Sequence, residues 1–297
     1  MVTEFQGKPK ERQSRVIKKT ICIGLGGTER DVLMRIRRLI IDKYGSLDEL
    51  PVIGFLAIDT DKDSLQSTGL RTGNTYQGEE IVFTDSERVA ATMTSVDVNT
   101  FRREIEDQYK YNRPGPCHHI ARWFPPQLVK DVKAIEQGAQ GIRPVGRLTF
   151  FHNFRKIQKA IESAENRTRG HESVLLKKGF SVEPGLNVFV IGSLCGGTGS
   201  GMFLDVAYTV RRIYSEKETQ FFGYFVVCPQ LYGDTPNMSA NVYAALKELN
   251  YYSTPRTTYD TCFDPQNLIE IQESRPPFDY TYLVSNQTAK DFDCSHF

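Results

Sequence analysis

Apolar positions along the chain switch repeatedly between a continuous or alternating pattern and a helical one, and each switch marks an element. Residues 20–23 (TICI) run apolar into Gly24-Leu25-Gly26-Gly27, after which Val32, Leu33, Ile36, Leu39 and Ile40 recur at helical spacing until Gly45. This predicts a short strand, a glycine loop and a helix. Val52 to Ile58 is apolar throughout, as in a strand buried on both faces, and ends in Asp59-Thr60-Asp61. Another short strand is predicted at Ile81–Phe83. From about residue 86 to 135 the pattern predicts irregular helices and loops, broken by Pro114, Pro116, Pro125 and Pro126. After a glycine-rich turn from Gly138 to Gly146, Leu148, Phe151, Phe154, Ile157 and Ile161 define one helix. A second glycine loop follows the apolar run beginning at Leu186, and Phe203, Leu204, Ala207 and Val210 continue it as a helix. Phe221–Val227 reads as a strand, Val242–Leu249 as a helix and Tyr280–Val284 as a last strand. Strands alternating with helices predict an α/β fold, a Rossmann-like, doubly wound and mainly parallel sheet whose ligand sites lie over the carboxyl ends of the strands. The glycine and Asp/Asn loops all fall at that edge.

Composition narrows the function without naming it. A chain of 297 residues can bury a large core, and its 39% hydrophobic and 25% charged residues are ordinary for a globular protein. A formal net charge of +1 gives no reason to expect nucleic acid or a membrane surface as partner. No apolar stretch reaches the length of a membrane span, and the start has no apolar signal segment, so a cytoplasmic location is expected. The six cysteines are scattered without a C-x-x-C pair and read as reduced thiols. Cys117-His118-His119 could offer metal ligands, but adjacent residues rarely aim at one ion, and no metal site is expected from protein ligands alone. Residues 1–17, with Lys8, Lys10, Arg12 and Arg15, are expected to form a basic flexible arm.

Gly196-Gly197-Thr198-Gly199-Ser200-Gly201 follows a buried strand and opens a helix. Glycine lets backbone N–H groups turn toward an anion, the helix N-terminus adds its positive dipole end, and Thr198 and Ser200 can donate hydroxyl hydrogen bonds. This is phosphate-binding chemistry. The Lys of a Walker A loop is missing, so a different nucleotide fold is indicated.

The run at 196–201 resembles the signature of the tubulin and FtsZ family, with Cys195 where many members have another glycine, and the divergent bacterial tubulin-like proteins look most similar. The resemblance implies a GTP-binding domain over residues 18–288 of a cytoskeletal, filament-forming GTPase that assembles head to tail, with GTP or GDP and Mg²⁺ as ligands. Gly24, Gly26, Gly27 and Thr28 then lie in the first phosphate loop, although Glu29 stands where the family keeps a small residue. Asp59, Thr60 and Asp61 resemble the second loop, which approaches phosphate oxygens and the metal. Gly138, Ala139, Gln140 and Arg143 resemble the third loop, with Arg143 or else Arg147 offsetting phosphate charge. Asn241, or more weakly Asp234, stands at the ribose side, and Asn286 at the guanine edge, which an amide can read with donor and acceptor together. In the family a long core helix and an acidic catalytic loop follow that Asn. Residues 289–297, with Asp291 and Asp293, are expected to be a truncated tail, leaving a pocket that hydrolyses poorly alone and no catalytic residue to assign.

Two alternatives remain at this stage. A Rossmann-type NAD(P) enzyme would use Gly24–Gly27 and Asp59, but Asp59 lies too far along for that fingerprint's acid, about 20 residues on. A degenerate scaffold would keep the fold and bind no nucleotide, as Glu29 and the missing half suggest.

Overall fold

The computed structural model describes residues 15–66, 74–112, 115–215, 218–233 and 235–286. The chain runs β1 (Arg15–Leu25), α1 (Gly27–Tyr44), β2 (Ile53–Asp59), α2 (Lys62–Gln66), the small hairpin β3 (Thr75–Tyr76) and β4 (Glu79–Glu80), β5 (Arg88–Ala90), α3 (Ser95–Tyr111) and α4 (His118–Ala121). It continues through α5 (Arg143–His152), α6 (Phe154–Asn166), α7 (Glu172–Lys177), β6 (Phe180–Ser193), α8 (Gly197–Ile213), β7 (Thr219–Val226) and α9 (Pro236–Ser253), then the hairpin β8 (Tyr259–Asp264) and β9 (Ile269–Glu273), and β10 (Tyr280–Val284).

Six strands form one sheet in the order β10-β7-β6-β1-β2-β5, every neighbouring pair parallel. Side chains alternate between two cores because successive strand residues point to opposite faces. Ile21, Ile23, Leu25, Leu56, Ile58, Val188 and Val190 face the core built with α5, α6 and α8. Cys22, Phe55, Ala57 and Ile191 face the other, built with α1. The sheet is therefore doubly wound, as the alternation of periods predicts. From β1 the chain winds outward through β2 to β5, then returns to place β6 on the other flank of β1. The strand order reverses between β1 and β6, and in open α/β sheets ligands bind at such a switch point.

Several elements differ from the sequence reading. β1 starts at Arg15, well before Thr20, because its first residues pair with Phe180–Val182 at the start of β6. No strand forms at Ile81–Phe83; the Arg37 guanidinium donates to the carbonyls of Ile81 (3.0 Å) and Val82 (2.8 Å), so a side chain takes the acceptors a ladder would use. The stretch expected to be irregular contains α3, a 17-residue helix opened by a capping box between Thr94 and Asp97. The single helix expected after Gly146 is two, divided at Asn153, whose Nδ2 donates to the carbonyls of Thr92 and Thr149. β10 lies where expected but is exposed along its whole length. Its Tyr280 and Tyr282 extend an aromatic ladder across β7 and β6, with Phe189 stacked on Phe222 (ring centroids 4.6 Å apart) and Tyr224 on Tyr282 (4.5 Å). Residues 1–14 of the expected arm and 289–297 of the expected tail lie outside the described residues.

Candidate functional site

Leu25 at the end of β1 pairs with Gly192 near the end of β6, so the two glycine loops emerge side by side. The first turns over at Gly26, whose φ of 101° is open to glycine but strained for other residues, and its N–H is held by the carbonyl of Ile58 (2.8 Å). α1 and α8 then begin with Gly26 and Gly196 as N-caps, and neither cap supplies a side-chain hydrogen bond. Two long helices thus bring uncapped N-termini together: a Cβ placed on Gly26 would lie 3.7 Å from Thr198 Cβ and 3.9 Å from the Gly199 amide nitrogen. Two positive dipole ends, with no side-chain cap from either N-cap residue, make this edge attractive to an anion.

The glycines of the second loop have separate duties. A Cβ on Gly197 would collide with Ala139 Cβ (2.8 Å) and the Ile142 nitrogen (2.9 Å), on Gly199 with the Ser193 carbonyl (2.6 Å), and on Gly201 with the Arg143 carbonyl (2.6 Å). Gly146 on the facing helix α5 would meet the Gly197 carbonyl at 2.0 Å. Gly197 and Gly201 are small because the third loop and α5 lie directly against α8, and Gly199 because the ends of β6 and β1 do. Gly196 alone of the run faces open space, with nothing within 4 Å of its Cβ position, and it is the one glycine of the run that is not buried. Room for a ligand exists at Gly196.

The second loop of acids closes the other flank. Asp59 is 4% exposed; its Oδ1 accepts from the N–H of Thr60 (2.7 Å) and Asp61 (3.2 Å) and from the Thr198 hydroxyl (3.4 Å). Burial raises its pKa to about 6, Asp61 nearby pushes the same way, and the amides of Asp61 and Thr60 work against both. The Thr198 and Thr60 hydroxyls share a bond of 2.6 Å in the interior. Asp61 spends Oδ1 on the N–H groups of Asp63 and Ser64 at the head of α2, both at 3.0 Å. The third loop joins through the Gly138 N–H, which donates to the Thr60 carbonyl (3.2 Å), and holds Gln140 at a φ of 50° between two glycines of positive φ.

Other expected contacts turn out to be committed elsewhere. Arg143, expected with Arg147 as an alternative to offset phosphate charge, donates Nε to the Ser200 carbonyl (2.8 Å) and hydroxyl (3.0 Å) and both terminal nitrogens to Glu248. Arg147 pairs with the buried Asp205 at 3.0 Å, an acid that also accepts from the Tyr259 hydroxyl. The Ser200 hydroxyl is fully buried between Arg143 and the Asn241 carbonyl. The Asn241 amide nitrogen bridges the carbonyls of Gly141 (2.8 Å) and Cys195 (2.9 Å), tying the third loop to the glycine run rather than presenting a donor to a ribose. Asp234 lies outside the described residues. Asn286 sits just past β10, two strands from β6 and so about 10 Å across the sheet edge. Its Oδ1 is buried and has no hydrogen-bond partner among the described residues.

Two further residues belong here, of which only Glu29 was marked by the sequence. Glu29 is 2% exposed in the first turn of α1, and Oε2 would lie 3.0 Å from a Cβ on Gly26. Tyr232, in a 3-10 turn after β7, faces Ser193 and Thr28, and burial raises the pKa of its hydroxyl. A bulky aromatic shortly after a strand and a Pro carried no periodic signal that would have marked it. Among the described residues no group of three or more His, Cys, Asp and Glu side chains could hold a metal, and no helix is long and apolar enough to cross a membrane.

Comparison with known proteins places this architecture. No curated protein is a significant match to the sequence. Similar solved structures include CetZ1 from Haloferax volcanii as a GDP-bound monomer, 13% identical over 92% of this chain and 55% of that one, with a TM-score of 0.49. CetZ2 from Haloferax volcanii, a GTPgS-bound protofilament, is 15% identical over 91% and 51% at a TM-score of 0.45. The empty FtsZ dimer of M. jannaschii is 13% identical over 80% and 42% at 0.39. The chain spans about half the length of the CetZ structures it matches. The family model described as "Tubulin like" matches residues 21–296, from the strand before the first glycine loop to past Asn286, and the chain belongs to that tubulin-like family.

Proposed function

We propose that this chain is the guanine-nucleotide-binding domain of a tubulin-like GTPase that assembles head to tail in its full-length form. The observation that carries the reading is the meeting of two uncapped helix N-termini at the sheet's switch point, with open space at Gly196. Phosphates would lie against the amides at the heads of α1 and α8. Asn286, with its unpartnered buried Oδ1, would meet the base edge across the strand ends. The residue that would hold Mg²⁺ suits a hard cation: Asp59 has a carboxylate oxygen, Oδ2, directed toward Gly27. When bound, the cation would supply the positive charge that Arg143 and Arg147 do not. The NAD(P) alternative receives no support, because Asp59 turns Oδ1 into its own loop instead of toward a ribose.

One observation favours a second reading, a tubulin fold that binds no nucleotide: the acid Glu29 inside the cradle. Calorimetric titration with GTP, GDP and ATP in the presence of Mg²⁺ decides between them. Binding of GTP or GDP in clear preference to ATP is expected. Equal affinity for GTP and ATP would remove the guanine assignment, and absence of binding would favour the scaffold. Hydrolysis and assembly are proposed for the whole protein, with turnover per molecule rising with protein concentration.

A further inference from the structure

We propose that Glu29 is an internal competitor for the phosphate site: its side chain folds into the cradle of the free protein, and a nucleotide must displace it to bind. The inference rests on the nucleotide-binding reading above. An acid in the first turn of a helix is ordinary, since the dipole favours it there, but such acids usually lie in solvent. Glu29 is 2% exposed and its Oε1 has no hydrogen-bond partner. Its Cβ would lie 3.0 Å from a Cβ on Gly24 and its Oε2 3.0 Å from one on Gly26, the point that is itself 3.9 Å from the Gly199 amide nitrogen. The carboxyl thus sits between the heads of α1 and α8, where a phosphate oxygen would seek the same amides.

Its surroundings suit an anion poorly as a permanent resident. Burial pushes its pKa well above the usual carboxylate range, the amides of Glu29 and Ser193 hold it back, and the charges of Asp59 at the end of β2 and Asp31 in α1 raise it further. The Cys195 thiol and the Tyr232 hydroxyl feel its charge from the other side. Glu29 forms no ion pair among the described residues, and its neighbour Arg30 is directed to the Ser64 carbonyl and to Asp31. A buried acid without a cation among the described residues, with Oε1 orphaned and only the Glu29 and Ser193 amides to hold it, can be replaced there by an arriving phosphate with its Mg²⁺.

The test is calorimetric titration of Mg²⁺–GTP and Mg²⁺–pyrophosphate into the parent, Glu29→Gly and Glu29→Gln, with circular dichroism to confirm the fold. Glu29→Gly empties the cradle and is expected to tighten both ligands by about tenfold or more. Glu29→Gln keeps the volume and removes the charge, so a smaller gain is expected, and it serves as the deciding variant should Glu29→Gly not fold. Parent and folded variants binding GTP equally would overturn the inference and leave the nucleotide reading intact. Binding by Glu29→Gly where the parent shows none would support both. Pyrophosphate tightening without any response to GTP would keep the competitor and remove the guanine assignment, while no binding of either ligand to any form would remove both.

Discussion

Replacing Asp59 by Asn should stabilise the free protein at neutral and alkaline pH while damaging its ligand site. The Asp59 carboxyl is buried, and burial is the largest cause of its rise from an ordinary 3.8 to about 6. An acid with a raised folded-state pKa binds more protons folded than unfolded, so the stability it confers is fully present below about 3.8 and is lost as pH climbs through about 6. A shift of about two units corresponds to about 3 kcal/mol. Asn keeps the oxygen that accepts from Thr60, Asp61 and Thr198 and has no charge to bury. Asp59→Asn should therefore match the parent near pH 4 and exceed it by about 3 kcal/mol at pH 8. Urea denaturation from pH 4 to 8 with a chelator present, at an unchanged m-value, measures the difference. A gap that does not widen with pH, or a variant no more stable than the parent at pH 8, would refute the reasoning. In parallel titrations with Mg²⁺ the same variant should bind GTP more weakly, as residues placed for ligands commonly cost stability.

Four further substitutions separate scaffold from site. Asp205→Ala strips the partner from Arg147 and Tyr259 in the interior and should cost about 3–5 kcal/mol in urea denaturation. Gly146→Ala drives a methyl group into the Gly197 carbonyl and should cost about 3 kcal/mol or more, whereas Gly196→Ala should stay within about 0.5 kcal/mol of the parent and yet weaken Mg²⁺–GTP in calorimetry. Arg143→Ala should lower stability by about 1–2 kcal/mol through loss of its Ser200 and Glu248 bonds, with a smaller effect on GTP affinity than Gly196→Ala.

Periodicity carried the sheet because its strands are buried on both faces. β2 and the second half of β6 are apolar without interruption, and α1 shows its apolar stripe from Val32 to Ile40. Where long-range side-chain bonds shape the backbone, periodicity had nothing to offer. Arg37 reaching the carbonyls of Ile81 and Val82 replaces a strand, and the first residues of β1, charged at Arg15, Lys18 and Lys19, pair because β6 extends beside them. α3 was readable in principle from Thr94 and Asp97, a capping pair hidden among the prolines that follow. The candidate site was legible as loops but less so as atoms. Arg143 and Asn241 come to the right place, and their donors are taken by Glu248, Ser200, Gly141 and Cys195, partners far away in sequence.

The arginines of these loops, Arg30, Arg143 and Arg147, are each paired with an acid, so no guanidinium is set aside for a phosphate. In the proposed reading, anion affinity would come from backbone amides and the two helix dipoles, with a divalent cation supplying the compensating charge. This changes what the glycine run means. In a loop that relied on a lysine, small residues could be read as making room for the ligand. Here Gly197 and Gly201 make room for the third loop and α5, and Gly199 for the ends of β6 and β1, so that these segments close on α8. Close approach of the helices and the anion site are one construction, and a substitution at Gly197, Gly199 or Gly201 would lose both together. Only a position in open space can separate them. Gly196 is that position in the run, and Glu29, across the cradle from it, is the side chain through which affinity can be tuned without disturbing the contacts that build the site.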